Sequence, residues 1–262
     1  MMQQDFAYKA AEIVINDPDV IGLAVAGSWI ENEMDEFSDL DLILVTKNKV
    51  GGDKEKMEQY AKRFGDYISS FTGEHVGEPR LLVCLYNNPL LHTDIKFVTL
   101  KEFEIRVEDP IILFERNNRL SEVIRNTMAK WPEPDLQWIE DRFWIWVHYI
   151  AGKIGRGEYF EALSNLDYIR MNVLSPLMQV KNKNKARGLR KAETRLTPSD
   201  LENLKITVAR YDKASLLKAL DNSISIYRSL RRKLFPADIK TQDKTEKICM
   251  DYFRQIMKED KK

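Results

Sequence analysis

Ser38-Asp39-Leu40-Asp41-Leu42-Ile43-Leu44-Val45 is the stretch on which the reading of this chain turns. In a strand, residues two apart point the same way, so Asp39 and Asp41 share one face while Leu40, Leu42 and Leu44 occupy the other. So continuous an apolar run belongs to a central strand rather than to a solvated edge or turn. Two carboxylates on one face repel each other unless a cation neutralises them or one stays protonated. A hard divalent metal is the natural partner, and magnesium accepts a few carboxylate oxygens completed by water and substrate phosphates.

Working outward, Phe6, Ala10, Ile13 and Val14 have helical spacing, and Asn16-Asp17-Pro18-Asp19 breaks the pattern before an apolar run over residues 20–26. Residues 54–71 read as one amphipathic helix, with Met57, Tyr60, Ala61, Phe64, Tyr67, Ile68 and Phe71 on its apolar face. Residues 80–86 and 91–100 are β-rich and separated by Asn87-Asn88-Pro89, a hairpin connection. Residues 111–114 add a short strand, and from about Leu120 helical patterns take over. Asp135 is placed to cap a long helix reaching Ile154, with further helices at residues 159–180, 199–210, 214–234 and 245–258. Their short connections imply an antiparallel bundle. The expected architecture is α+β, a mixed sheet flanked by helices over residues 1–118 followed by an all-α bundle over residues 119–262.

Within the second β-rich run, Asp94 interrupts apolar and β-prone residues without a structural excuse and supplies a third oxygen ligand from a neighbouring strand. Lys96, two residues on, shares its face and pairs either with Asp94 or with a phosphate. His92 falls on the same side, where it touches substrate or simply caps the cleft. Gly27 ends the first strand and Ser28 follows, so that a backbone amide and a hydroxyl can approach a triphosphate closely.

The bulk numbers constrain the alternatives. The chain has 262 residues, 44% hydrophobic and 31% charged, enough for two compact domains. Its 41 basic residues balance 41 acidic ones, so the molecule carries no overall electrostatic footprint for nucleic acid. Only Cys84 and Cys249 occur, which excludes a disulfide framework or a four-ligand zinc site. The first residues lack a basic region followed by an apolar stretch, and no run approaches the roughly twenty apolar residues of a membrane span. A cytoplasmic, reducing setting is the expectation, and oligomeric state is not read.

Gly27-Ser28, a short loop with Ser38 at its end, Asp39-Leu40-Asp41, and then Asp94 on a later strand together resemble the DNA polymerase beta-like nucleotidyltransferase superfamily. Its pattern is Gly-Ser, a short variable helix-containing loop, Asp-x-Asp and one further aspartate. The resemblance covers roughly the first hundred residues. The helical half is similar to the C-terminal bundle of bacterial antibiotic nucleotidyltransferases. There, Gly152-Lys153-Ile154-Gly155-Arg156-Gly157-Glu158-Tyr159-Phe160-Glu161-Ala162-Leu163 is similar to an Arg-Gly-Glu stretch joining two helices in aminoglycoside- and lincosamide-modifying members. The resemblance implies magnesium-dependent transfer of a nucleoside monophosphate from an NTP, with ATP as the expected donor, to a hydroxyl of a small-molecule acceptor. Two magnesium ions would be held by Asp39, Asp41 and Asp94, while Gly27, Ser28 and Ser38 contact the nucleotide. Where many members carry an arginine soon after Gly-Ser, Trp29 and Ile30 stand here, so phosphate neutralisation falls to Lys96, Lys153 or Arg156, or the nucleotide choice differs. The alternatives are a nucleotidyltransferase acting on RNA or protein, or a catalytically idle antitoxin-like binding module.

Other conspicuous clusters have plainer readings. Glu31, Glu33, Asp35 and Glu36 read as a solvated loop that would also attract a cationic substrate. The aromatic residues Phe143, Trp144, Trp146, His148 and Tyr149 read as core packing. The basic runs at residues 181–191 and 228–233 lack an interleaved aromatic platform and read as solvated loops and helix ends. Glu74 and Glu78 flank Gly77 where either could serve as a general base.

Overall fold

The computed structural model describes residues 1–259, which divide into two compact units between Trp131 and Pro132. The architecture is α+β, with a six-stranded mixed sheet in the first unit and helices throughout the second.

In the first unit, α1 (Met2–Val14) leads into β1 (Val20–Val25), followed by β2 (Leu40–Thr46), α2 (Lys54–Ala61), β3 (Asp66–Gly73), β4 (Glu78–Asn87) and β5 (Leu91–Thr99). The short α3 (Leu100–Phe103), β6 (Ile111–Glu115) and α4 (Arg119–Asn126) complete it. The sheet order is β3-β4-β5-β2-β1-β6, so the strand carrying Asp41 is central, as its apolar run required. Only β2 and β5 run parallel, and the excursion through α2, β3 and β4 is the crossover that such a pair needs.

Alternation along β2 and β5 sorts their side chains. Leu40, Leu42, Leu44, Leu91, Ile95 and Phe97 are buried in a core with Phe6, Ala10 and Val14 of α1 and with Met57 and Ala61 of α2. The opposite face is covered at one end, where Ile21, Ala24, Val45 and Val98 meet Phe103, Leu120 and Val123. Leu120 and Val123 belong to that core, so α4 packs with the sheet and lies in the first unit.

The helix expected over residues 54–71 is corrected by the structure. α2 stops at Ala61, and residues 66–73 form β3, paired antiparallel with β4 from Asp66↔Asn87 to Gly73↔Glu78. Asp66-Tyr67-Ile68-Ser69-Ser70-Phe71-Thr72 is rich in β-branched and aromatic residues, and pairing with a partner strand overrode a fortuitous helical spacing. Ile68 and Phe71, assigned to the apolar helix face, are about half exposed on this edge strand.

The second unit comprises α5 (Leu136–Gly155), α6 (Tyr159–Ile169), α7 (Ser175–Lys181), α8 (Ala192–Arg195), α9 (Pro198–Lys205), α10 (Lys213–Leu234) and α11 (Asp243–Glu259). Asp135 does cap α5, its side chain accepting from the Trp138 amide at 2.9 Å. The single helix expected over residues 159–180 is interrupted by a π-helical segment, Arg170–Leu174, between α6 and α7. α9 ends at Lys205, short of Arg210, with Thr197 at its N-cap accepting from the Asp200 amide. Phe143 stacks on Tyr227 with ring centroids 3.6 Å apart, and Trp144 is buried beside them, so this part of the aromatic cluster is core. No helix among the described residues is long and apolar enough to cross a membrane.

Glu140 is fully buried in this bundle and fully engaged. It accepts from the Tyr227 hydroxyl, from Arg231 at 2.9 Å and from the Gln242 amide at 2.9 Å, while Arg231 also reaches Glu246 at 2.7 Å. Truncating one member of a buried ion pair strands the other. Glu140→Ala is therefore expected to destabilise the helical unit by about 3–5 kcal/mol, measured by urea unfolding followed through the buried tryptophan; a loss below about 1 kcal/mol would show the network to be solvated.

Candidate active site

The candidate site lies at the open end of the sheet's second face. Parallel pairing sets Asp41 in register with Asp94, and Ile43 with Lys96, so both carboxylates project on the same side from adjacent strands. Asp39 immediately precedes β2. The row continues laterally to Val83 of β4, the register partner of Asp94, and on its other side to Ala26, whose amide donates to the Asp41 carbonyl at 3.0 Å.

Gly27 closes this row. It adopts a left-handed φ of 64°, and a β-carbon added there would lie 1.9 Å from Asp41 Oδ2. Glycine is thus required twice, by the turn and by a carboxylate resting where a side chain would be. Ser28 follows in a single 3₁₀ turn, and its carbonyl accepts from the Glu33 amide at 2.9 Å. Trp29, standing where an arginine was expected from the resemblance, packs on the sheet's main core and meets Tyr8 of α1 edge-on. That position anchors the loop to α1.

The loop before β2 is internally tied. Ser38 Oγ donates to Asp35 Oδ1 at 2.9 Å and accepts from the Asp35 amide at 3.0 Å, and buried Gln3 donates to both the Asp35 and Ser38 carbonyls at 3.0 Å. These bonds fix the approach of the chain into Asp39 and Asp41.

Three neighbouring side chains have definite partners. His92 Nε2 lies 3.0 Å from Asp94 Oδ1, on the side that strand alternation required. Lys96 pairs with Glu78 at 2.8 Å, and Glu78 also takes both Nε and Nη2 of Arg80 at 2.7 Å. The Arg80 hydrogen bonds, opposed by partial burial and reinforced by Lys96, hold the Glu78 carboxyl at about 2. So acidic a group is a poor proton acceptor, which removes Glu78 as a general base; Glu74 hydrogen-bonds with the Thr72 hydroxyl.

In the helical unit, Lys153 sits between Glu158 at 2.6 Å and Glu161 at 2.8 Å, and Arg156 pairs with Glu158 at 2.7 Å. Hydrogen bonds donated to Glu158 and Glu161 raise the Lys153 pKa and keep it an ammonium.

One residue here carried no sequence signal. Glu108, in the loop before β6, accepts from the Gly27 amide at 3.3 Å. It arrives because β6 pairs antiparallel with β1, Val25 opposite Ile111, which returns the loop to the end of β1. Nothing local in Arg106-Val107-Glu108-Asp109-Pro110 reports that pairing.

The donor set of Asp39, Asp41 and Asp94 is all oxygen, which suits magnesium. Among the described residues no three His, Cys, Asp or Glu side chains form a ready-made metal cage. Magnesium is ordinarily held by one or two carboxylates completed by substrate phosphates and water, and the Asp41 and Asp94 pair beside an open face fits that requirement.

No family model matches the chain, and no curated protein matches it. Among solved structures it is similar to an aminoglycoside 6-adenyltransferase from Bacillus subtilis, at 17% identity and a TM-score of 0.43, over 97% of this chain and 98% of that one. It is also similar to a nucleotidyltransferase-like protein from Exiguobacterium sibiricum, at 14% identity and a TM-score of 0.41, over 90% of this chain and 79% of that one.

Two measurements check the geometry. Gly52 also has positive φ but nothing within 4 Å of an added β-carbon, so Gly52→Ala meets only backbone strain whereas Gly27→Ala also collides with Asp41. Gly27→Ala should cost at least about 1 kcal/mol more in denaturant unfolding, and equal costs would refute the packing of Asp41 on the turn. The Glu78 pKa is depressed in the folded state, so its stabilisation is present above the ordinary carboxylate range and is lost as pH falls toward about 2. Wild type should exceed Glu78→Gln in stability at neutral pH, with the gap closing over that acid range; a pH-independent gap would assign the effect to packing.

Proposed function

We propose that this chain transfers a nucleoside monophosphate from an NTP, ATP being the expected donor, to a hydroxyl of a small molecule. The observation that carries the reading is the register of Asp41 with Asp94, closed at one end by a glycine turn whose missing β-carbon leaves room for the Asp41 carboxylate. Paired carboxylates beside a glycine turn on an open sheet face suit the gathering of metal and phosphate at one point.

In this reading Asp39, Asp41 and Asp94 would hold magnesium, two ions by the resemblance, and the Gly27-Ser28 turn would position the β- and γ-phosphates. Ser38 and Lys96 complete the proposed nucleotide contacts within the sheet unit. Lys96 would exchange its carboxylate partner for a phosphate oxygen, so its charge is kept in reserve by Glu78. Magnesium, when bound, lowers the pKa of the acceptor hydroxyl and neutralises charge on the leaving group. The acceptor oxygen attacks the α-phosphorus in line, a phosphorus–oxygen bond forms, the bond to the β-phosphate bridging oxygen breaks, and pyrophosphate leaves. The acceptor's proton passes to Asp94, whose carboxylate His92 orients from 3.0 Å.

The acceptor class proposed is a hydroxyl-bearing antibiotic of aminoglycoside or lincosamide type, by likeness of the Gly152–Leu163 stretch. The acidic loop bearing Glu31, Glu33, Asp35 and Glu36 supports a cationic acceptor. The test is pyrophosphate release from each NTP with magnesium and a panel of aminoglycosides, lincosamides and hydroxylated metabolites. Asp41→Asn and Asp94→Asn should each lower the rate at least about a hundredfold while circular dichroism and melting stay unchanged; an unaltered rate in either variant would sink the assignment.

A further inference from the structure

The lateral row that carries Asp41 and Asp94 does not end at Val83. Val83 is in turn the register partner of Phe71 on β3, so Phe71 projects from the same face of the sheet as the two acids. Its side chain is 53% exposed, and His75 of the following turn lies against it with ring centroids 5.5 Å apart. Resting on the nucleotidyltransferase reading, we propose that Phe71, with His75 beside it, is an acceptor subsite, an aromatic wall for a cationic, ring-bearing acceptor whose hydroxyl is presented at Asp94.

Three observations carry the assignment. The first is direction. The Gly27 turn rests on the Asp41 carboxylate at the β1 side, and the row then runs through Asp94 and Val83 to Phe71 at the β3 edge. In-line transfer sets the entering and leaving oxygens on opposite sides of the α-phosphorus. Pyrophosphate held by the Gly27-Ser28 turn departs toward β1, so the acceptor enters from the side of β4 and β3. The second is distance. Adjacent strands lie about 4.8 Å apart, which places Phe71 roughly 10 Å from Asp94, the reach of one sugar ring and its glycosidic link. Val83, half-buried and uncharged, fills the interval.

The third is chemistry. An exposed edge strand is ordinarily blunted by charged side chains or proline, but here an aromatic pair stands on it. The electron-rich face of an aromatic ring attracts the polarised C–H groups of a sugar and, more strongly, an ammonium group. An aminoglycoside-type ring offers both, whereas the phosphates of the donor offer neither. Phe71 therefore acts in acceptor binding, apart from the groups that carry the transfer step.

The full chain is compared as wild type, Phe71→Ala, Phe71→Leu and Phe71→Tyr. Affinities for kanamycin and, separately, for magnesium-ATP are measured by calorimetry, and KM and kcat for kanamycin by pyrophosphate release. Phe71→Ala and Phe71→Leu should weaken kanamycin binding and raise its KM about three- to tenfold, the size of one aromatic contact. Because such a contact is made equally before and during transfer, kcat should hold, as should the affinity for magnesium-ATP. Phe71→Tyr keeps the ring and should bind kanamycin as wild type does. Phe71→Leu keeps an apolar side chain on the strand and guards against a folding defect in Phe71→Ala. Unchanged kanamycin affinity in both ring-less variants would overturn the proposal. An equal loss of magnesium-ATP affinity would also overturn it, by assigning the ring to the nucleobase. If the wild type binds magnesium-ATP but not kanamycin, the acceptor subsite falls and the nucleotide reading stands. If kanamycin binding depends on the Phe71 ring but no magnesium-ATP is taken up, the subsite stands and the nucleotide reading falls. If neither ligand binds, both are overturned.

Discussion

The parallel ladder between β2 and β5 is the constraint on which the candidate site depends. It brings Asp41 beside Asp94 from positions more than fifty residues apart in the chain, and a slip of one residue would send one carboxylate into the core with Leu42 or Ile95. Burial of Leu40, Leu42, Leu44, Ile95 and Phe97 under α1 and α2 fixes the register, so the same apolar packing that stabilises the sheet also sets the spacing of the acids. Cohesion and chemistry are therefore coupled through one ladder.

The second face of the sheet divides the labour differently. Where α3 and α4 cover it, Ile21, Ala24, Val45 and Val98 form a small core; beyond that cover the same strand faces carry Asp41, Asp94, Lys96 and His92. A helix layer spanning the whole face would have to bury those groups at a large desolvation cost. Beside these groups, Glu78 engages both Lys96 and Arg80.

The helical unit uses burial of charge as a structural device. Glu140 is sealed inside the bundle but reaches Tyr227, Arg231 and a backbone amide, so α5, α10 and the segment leading into α11 are joined by one fully satisfied carboxylate. Around it, Phe143, Trp144 and Tyr227 form the aromatic centre of the core. That assignment separates Phe143 and Trp144, which pack, from Tyr149, which stays exposed beside Lys153 and Glu161.

Local patterning was sufficient for the apolar strands, the Asp135 cap, the long helices, and the shared face of His92 and Asp94, because each depends on the period of a strand or a helix within a few residues. Sequence alone also marked Gly27, Asp41 and Asp94, through a glycine at a strand end and acids interrupting apolar runs. What it misread was residues 66–73, where Tyr67, Ile68 and Phe71 fit a helical stripe but a partner in β4 decided for a strand. What it could not contain was any relation created by pairing distant segments. The Asp41↔Asp94 register, the capture of Lys96 by Glu78, and the arrival of Glu108 at Gly27 all follow from strand order and long-range packing. Residue type determined which groups were able to do chemistry, and tertiary structure decided which met, because hydrogen-bonded ladders set distances that no local period encodes.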